Sequence, residues 1–108
     1  MEKIEKTIRY TKLINLYSPL LSETQKDILN DYFFLDLSIS EISENRGVSR
    51  AAIEDAISKG TKKLDSFEES LHVLESREKT RAKAEELLQK PDEKRAEQLI
   101  KEIIEGNK

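Results

Sequence analysis

The stretch Ser38-Ile-Ser-Glu41-Ile-Ser-Glu-Asn-Arg-Gly47-Val-Ser49-Arg-Ala-Ala-Ile53-Glu-Asp-Ala-Ile57-Ser-Lys-Gly60-Thr-Lys-Lys-Leu64 decides the fold of this 108-residue chain. It reads as a short helix, a tight turn and a second helix. Ser38 and Glu41 have the spacing of a capping box, in which each side chain satisfies the other's backbone N–H. Gly47 suits the left-handed residue that ends a helix. Val48 follows as an apolar plug for the angle between the helices, and Ser49 is a ready N-cap for the second. Ile39, Ile42 and Ser43 face inward on the first helix, and Ile53, Ala56 and Ile57 recur at helical spacing on the second. A small residue, a glycine turn and an apolar wedge at these offsets are what a helix-turn-helix requires.

Upstream lies its scaffold. Ile4, Ile8, Tyr10, Leu13, Ile14 and Tyr17 predict a helix over 2–17, closed by Pro19. Lys3, Lys6, Arg9 and Lys12 against Glu2 and Glu5 give that helix four bases and two acids, hence +2. Ser22 and Gln25 predict a second capping box, followed by a helix that buries Ile28, Leu29, Tyr32 and Phe33. Glu23, Asp27, Asp31 and Asp36 against Lys26 leave this segment at −3.

Downstream, Gly60 costs about 1 kcal/mol relative to Ala inside a helix and predicts a bend. Leu64, Phe67, Leu71 and Leu74 form a narrow seam expected to pack back on the first helix. From Ser76 to Lys83 only Ala82 is apolar, which predicts an exposed helix. Pro91 is read as the first residue of a last helix, with Ala96, Leu99, Ile100, Ile103 and Ile104 as its stripe and Gly106 at its end. That stripe needs a cover, either Leu87 and Leu88 or a second copy of the chain in a homodimer. The domains expected are 1–75, the helix-turn-helix domain, and 76–108, a C-terminal helical extension.

Composition agrees with an all-α fold. Glycine (3) and proline (2) are scarce, and 38% of residues are charged. Absence of cysteine rules out a disulfide framework and a thiolate metal site. No apolar run is long enough to span a membrane, and the N-terminus lacks a signal-peptide core, so a cytoplasmic protein is expected. A net charge of −3 argues against a dedicated polyanion binder but leaves room for local basic patches.

Outward residues at the start of the second helix would read base edges. Here they are Arg50, Ala51, Glu54, Asp55 and Ser58. Arg50 fits guanine or phosphate, whereas Glu54 and Asp55 repel a polyanion. Lys59, Lys62 and Lys63 lie further along, and residues 51–66 hold three acids and three bases. The candidate contacts to a nucleic acid or protein partner are therefore Arg50, Lys59, Lys62 and Lys63, with Lys3, Lys6, Arg9 and Lys12 as a second surface. No catalytic residue is expected. His72, the sole histidine, reads as a structural helix residue, and the carboxylates fall into helix-surface pairs (Glu68/His72, Glu75/Lys79, Glu78/Arg81, Glu97/Lys101). No phosphate loop, metal cluster or cofactor site is evident.

Leu21-Ser-Glu-Thr-Gln-Lys-Asp-Ile-Leu29, the 38–53 stretch and Lys62-Lys63-Leu64 resemble region 4 of bacterial sigma factors, a helix-turn-helix unrelated to the winged helix. Ile14-Asn-Leu-Tyr17, Asp31-Tyr-Phe-Phe-Leu-Asp-Leu-Ser38, Phe67-Glu68 and Leu71-His72 narrow the likeness to the YlxM family of small bacterial proteins, over residues 2–75. That resemblance implies a non-enzymatic accessory or regulatory protein of the signal recognition particle pathway, whose partner is the particle's protein or RNA. It implies no cofactor. A DNA-binding transcriptional regulator is the alternative reading.

Overall fold

Ser22, Ser38, Ser49 and Asp92 each begin a helix by taking up a free N–H of its first turn with the side chain. In a computed structural model, which describes residues 2–106, α1 spans Glu2–Tyr17 and α2 Glu23–Phe33. The remaining helices are α3 (Ile39–Arg46), α4 (Arg50–Leu71), α5 (Val73–Gln89) and α6 (Glu93–Ile104), and no strand occurs among the described residues. The fold is all-α. A single 3₁₀ turn, Ser18–Leu20, carries Pro19 between α1 and α2.

The box at α3 is complete: Ser38 Oγ accepts from Glu41 N at 3.1 Å, and Glu41 Oε1 accepts from Ser38 N at 3.0 Å. The box expected at α2 is only half made. Ser22 Oγ accepts from Gln25 N at 3.2 Å, but the Gln25 side chain instead accepts from Lys63 Nζ on α4 at 3.2 Å. Ser49 Oγ caps α4 through Ala52 N at 3.0 Å. Pro91 is not the first residue of α6. It precedes the cap, Asp92, whose carboxylate accepts from Lys94 N and Arg95 N.

The chain forms two compact units that divide after Leu71. In the first, α4 packs against α1, α2 and α3. Ile28, Ile42 and Ile53, from α2, α3 and α4, form one buried cluster, with Tyr32, Leu37, Ile39, Ala56 and Ile57 packed on it. Leu13, Leu29 and Leu64 are fully buried as well. Gly47 ends α3 at φ 66°, and Val48 N donates back to Ser43 O at 3.2 Å, the six-to-one bond of a glycine-terminated helix. Arg46 on α3 reaches Asp31 on α2 at 2.9 Å and ties the motif to its scaffold. Val48 does not plug the interhelical angle. It is 46% exposed, and the wedge is made by the three isoleucines.

Gly60 interrupts nothing: α4 runs through it without a break. It is buried, and a Cβ there would stand 2.8 Å from Leu29 Cδ1. The glycine lets α2 approach α4 closely. The expected seam is cut instead at His72, which lies between helices at φ 53°. Phe67 does face α1, its ring 5.8 Å from that of Tyr17, and Leu64 is fully buried. Leu71 is left exposed, and Leu74 belongs to another helix. Glu68 does not pair with His72. It accepts from Tyr17 Oη at 2.7 Å, and His72 Nδ1 lies 2.9 Å from Glu75.

In the second unit α5 packs on α6. Leu99 is buried, Ala84, Leu87 and Ala96 are half-buried, and two ion pairs, Lys83–Glu102 and Arg95–Glu86, link the helices at 2.7 Å each. Leu88, Ile100, Ile103 and Ile104 remain exposed, so Leu88 does not cover the α6 stripe.

Candidate nucleic-acid interface

The eight expected contact residues do not form two surfaces. Residues three apart on an α-helix step by about 60° around its axis. Lys3, Lys6, Arg9 and Lys12 therefore wind around α1, and Lys12 ends on the side opposite Lys3. On α4 the same geometry sets Lys59, Lys62 and Lys63 on a face away from Arg50.

Three of the eight meet. In its first turns α1 contributes Lys3, Lys6 and Thr7 to a groove of about 680 Å³. The end of α2, the Asp36–Leu37 link, the start of α3 and α4 supply its other walls. Lys3, Lys6 and Arg50 line it together with Tyr10, Tyr32 and Phe33. The aromatic rings are mutually packed: Tyr10 and Phe33 centroids lie 5.3 Å apart, Tyr32 and Phe33 5.0 Å apart edge to face. Tyr10 Oη donates to Asp65 at 2.8 Å, and burial, then the Asp65 carboxylate, push its phenol above the ordinary range.

The other cations stand elsewhere, and several are engaged. Arg9 reaches Asp65 at 3.0 Å, Lys59 pairs with Asp55 at 3.0 Å, and Lys63 donates to Gln25. Lys12 and Lys62 are exposed on their helices. Among the described residues Lys3, Lys6 and Arg50 make no side-chain ion pair. Asp36 and Glu41 also line the groove. Glu41 is occupied at the α3 cap, and its two contacts to Ser38 hold its carboxyl below the usual range.

Sequence reasoning missed the aromatic members of the groove, because Tyr32 and Phe33 read only as core. Their half-burial at the end of α2 is a tertiary property. Among the described residues no cluster of three or more His, Asp or Glu could hold a metal ion, and no helix is long and apolar enough to cross a membrane.

The capped α3, the left-handed Gly47 and the α4 that follows define a helix-turn-helix protein. Residues 4–103 match the model of the UPF0122 family, described as "Putative helix-turn-helix protein, YlxM / p13 like". The chain belongs to this family. It is 34% identical over 101 residues to the UPF0122 protein of Fusobacterium nucleatum, covering 94% of this chain and 98% of that protein. It is 32% identical over 106 residues to the UPF0122 protein of Bacillus cereus, covering 95% and 94%. Over 62 residues it is 47% identical to the UPF0122 protein of Malacoplasma penetrans, covering 57% and 58%. The family match extends past residue 75, where the resemblance read from sequence stopped, so α5 and most of α6 belong to it too.

Proposed function

We propose that this chain is a non-enzymatic accessory protein of the signal recognition particle pathway that binds the particle's RNA or protein through its helix-turn-helix unit. One observation carries the choice over promoter reading. The outward face at the start of α4 presents Glu54 and Asp55, and the lysine nearest them, Lys59, is paired with Asp55. A duplex seated on that face would meet two carboxylates where phosphate-binding and base-reading proteins place cations or amides. Three cations with no side-chain ion pair among the described residues, Lys3, Lys6 and Arg50, instead line the groove under α1. The link to the targeting pathway comes from the YlxM resemblance.

A DNA-binding regulator is the second reading. It is favoured by Arg50, exposed at the first residue of α4, where a recognition helix meets base edges. Titrating the full chain against the targeting GTPase, the particle RNA and random duplex DNA at two salt concentrations separates the two. The accessory reading expects binding to the RNA, the GTPase or both. An RNA mode weakens steeply with salt, whereas docking on the GTPase alone needs no nucleic acid and depends less on salt. Tight duplex binding with no affinity for either particle component would replace it with the regulator, and Arg50→Glu would then weaken binding more than Lys6→Glu.

A further inference from the structure

The groove beneath α1 combines features that neither helix shows alone. Its cations come from two elements, Lys3 and Lys6 from α1 and Arg50 from α4, so they approach a ligand from different directions. Its aromatic members, Tyr10, Tyr32 and Phe33, are only half-buried and line the groove. Asp36 and the Ser38 and Ser40 positions add acceptors and hydroxyls at the α2–α3 side. We infer that this groove is a binding site for unpaired nucleotides: a single-stranded or looped segment of RNA whose phosphates lie against Lys3, Lys6 and Arg50 and whose bases rest on the Tyr10–Tyr32–Phe33 cluster.

Each part of the groove matches a part of a nucleotide. Phosphate charge needs cations not already neutralised within the protein, and these three have no side-chain ion pair among the described residues. Bases stack on aromatic side chains only when they are out of a duplex, because a paired base has its faces covered by its neighbours. Carboxylate and hydroxyl oxygens can accept from base N–H groups or a ribose hydroxyl, so Asp36 is useful beside a base although it would repel a phosphate. An acidic peptide would meet Asp36 and Glu41 with like charge and leave the aromatic surface unused. The volume of about 680 Å³ is within the range of small-ligand pockets, roughly 300–1,000 Å³, and leaves the strand free to continue at the open side.

This inference rests on the reading that the chain binds a nucleic acid, and the test keeps the two apart. The full chain is titrated with a short fluorescein-labelled oligouridylate, an RNA duplex of the same length and the matching DNA duplex, and the oligouridylate complex is irradiated to map crosslinks by mass spectrometry. The single strand is expected to bind about tenfold tighter than either duplex, with crosslinks at Tyr10, Tyr32 or Phe33. Lys3→Glu combined with Lys6→Glu should weaken it at least about tenfold and lower the log–log salt slope by about 1.4, from about 0.7 per lost phosphate contact. Lys62→Glu, on another face of α4, should change affinity less than about twofold. Because the crosslinks are mapped on the unaltered chain, a poorly folded variant does not decide the matter. Equal or tighter duplex binding, with crosslinks outside the groove and Lys62→Glu as harmful as the double reversal, overturns the groove and leaves a nucleic-acid binder. Binding of no nucleic acid at all overturns the groove and the nucleic-acid mode together, and leaves docking on the GTPase as the accessory mode.

Discussion

Gly60 and Gly47 are both required, for unrelated reasons. At Gly47 the backbone is left-handed, φ 66°, and a Cβ would meet nothing within 4 Å. Alanine there costs about 1–2 kcal/mol of backbone strain alone. At Gly60 the backbone is helical and alanine would gain about 1 kcal/mol of helix propensity, but its Cβ would sit 2.8 Å from the fully buried Leu29. Overpacking of this kind costs about 1–3 kcal/mol, which outweighs the propensity gain. Gly60→Ala is therefore expected to destabilise the first unit by about 1 kcal/mol in urea unfolding. Adding Leu29→Ala should recover part of that cost, whereas Gly47→Ala should combine additively with Leu29→Ala. A Gly60→Ala chain more stable than its parent would show that Leu29 moves aside freely. From sequence alone Gly60 read as a bend, since a mid-helix glycine has no signature that separates a kink from a close approach. Its partner is 31 positions away in the chain (60 against 29).

At the scale of elements the sequence was legible wherever a side chain bonds to its own helix. Ser38, Ser49 and Gly47 gave the turn motif its boundaries, because caps are local chemistry. What failed was longer-ranged. Gln25 left its own box for Lys63, and Glu68 left His72 for Tyr17, each drawn to a partner on another helix. The break at His72 had no glycine or proline to announce it. The α3 cap makes a testable element. Ser38→Ala should cost about 1 kcal/mol by removing the acceptor for Glu41 N. Glu41 accepts from Ser38 N, which holds its carboxyl below the ordinary 4.5. A carboxyl depressed in the folded state stabilises above its unfolded pKa and loses that contribution as pH falls through the folded value. Glu41→Gln keeps an acceptor for the box but cannot titrate. Its urea midpoint should match the parent's at neutral pH and fall less on acidification below about 4.5. Equal acid losses in both chains would mean that the cap carries no pH dependence.

Across the whole molecule, the buried apolar groups are divided unequally. Among the described residues Leu13, Ile14, Tyr17, Ile28, Leu29, Ile42, Ile53 and Leu64 belong to the first unit, and only Leu74 and Leu99 to the second. The same inequality explains what the sequence could tell of the candidate site. Lys6 and Arg50 are 44 positions apart (50 against 6), and only the packing of α1 over the helix-turn-helix sets them on one groove. Charge counting along single helices could not find that. Spacing by three could have shown that Lys3 and Lys12 do not share a face. Local opening free energy follows buried apolar contact, and helices that bury little open first. Native-state amide exchange should therefore be slowest in α2, α3 and the first half of α4, around Ile28, Ile42 and Ile53. Amides of α5 between Arg77 and Lys83, where the side chains are almost all exposed, should exchange faster by at least about tenfold, a difference of about 1.4 kcal/mol in opening free energy. Exchange in α5 and α6 as slow as in α4 would mean that both units open together. Bound RNA at the groove should slow exchange at the starts of α1 and α4 and leave α5 unchanged, a pattern that binding through the second unit would reverse.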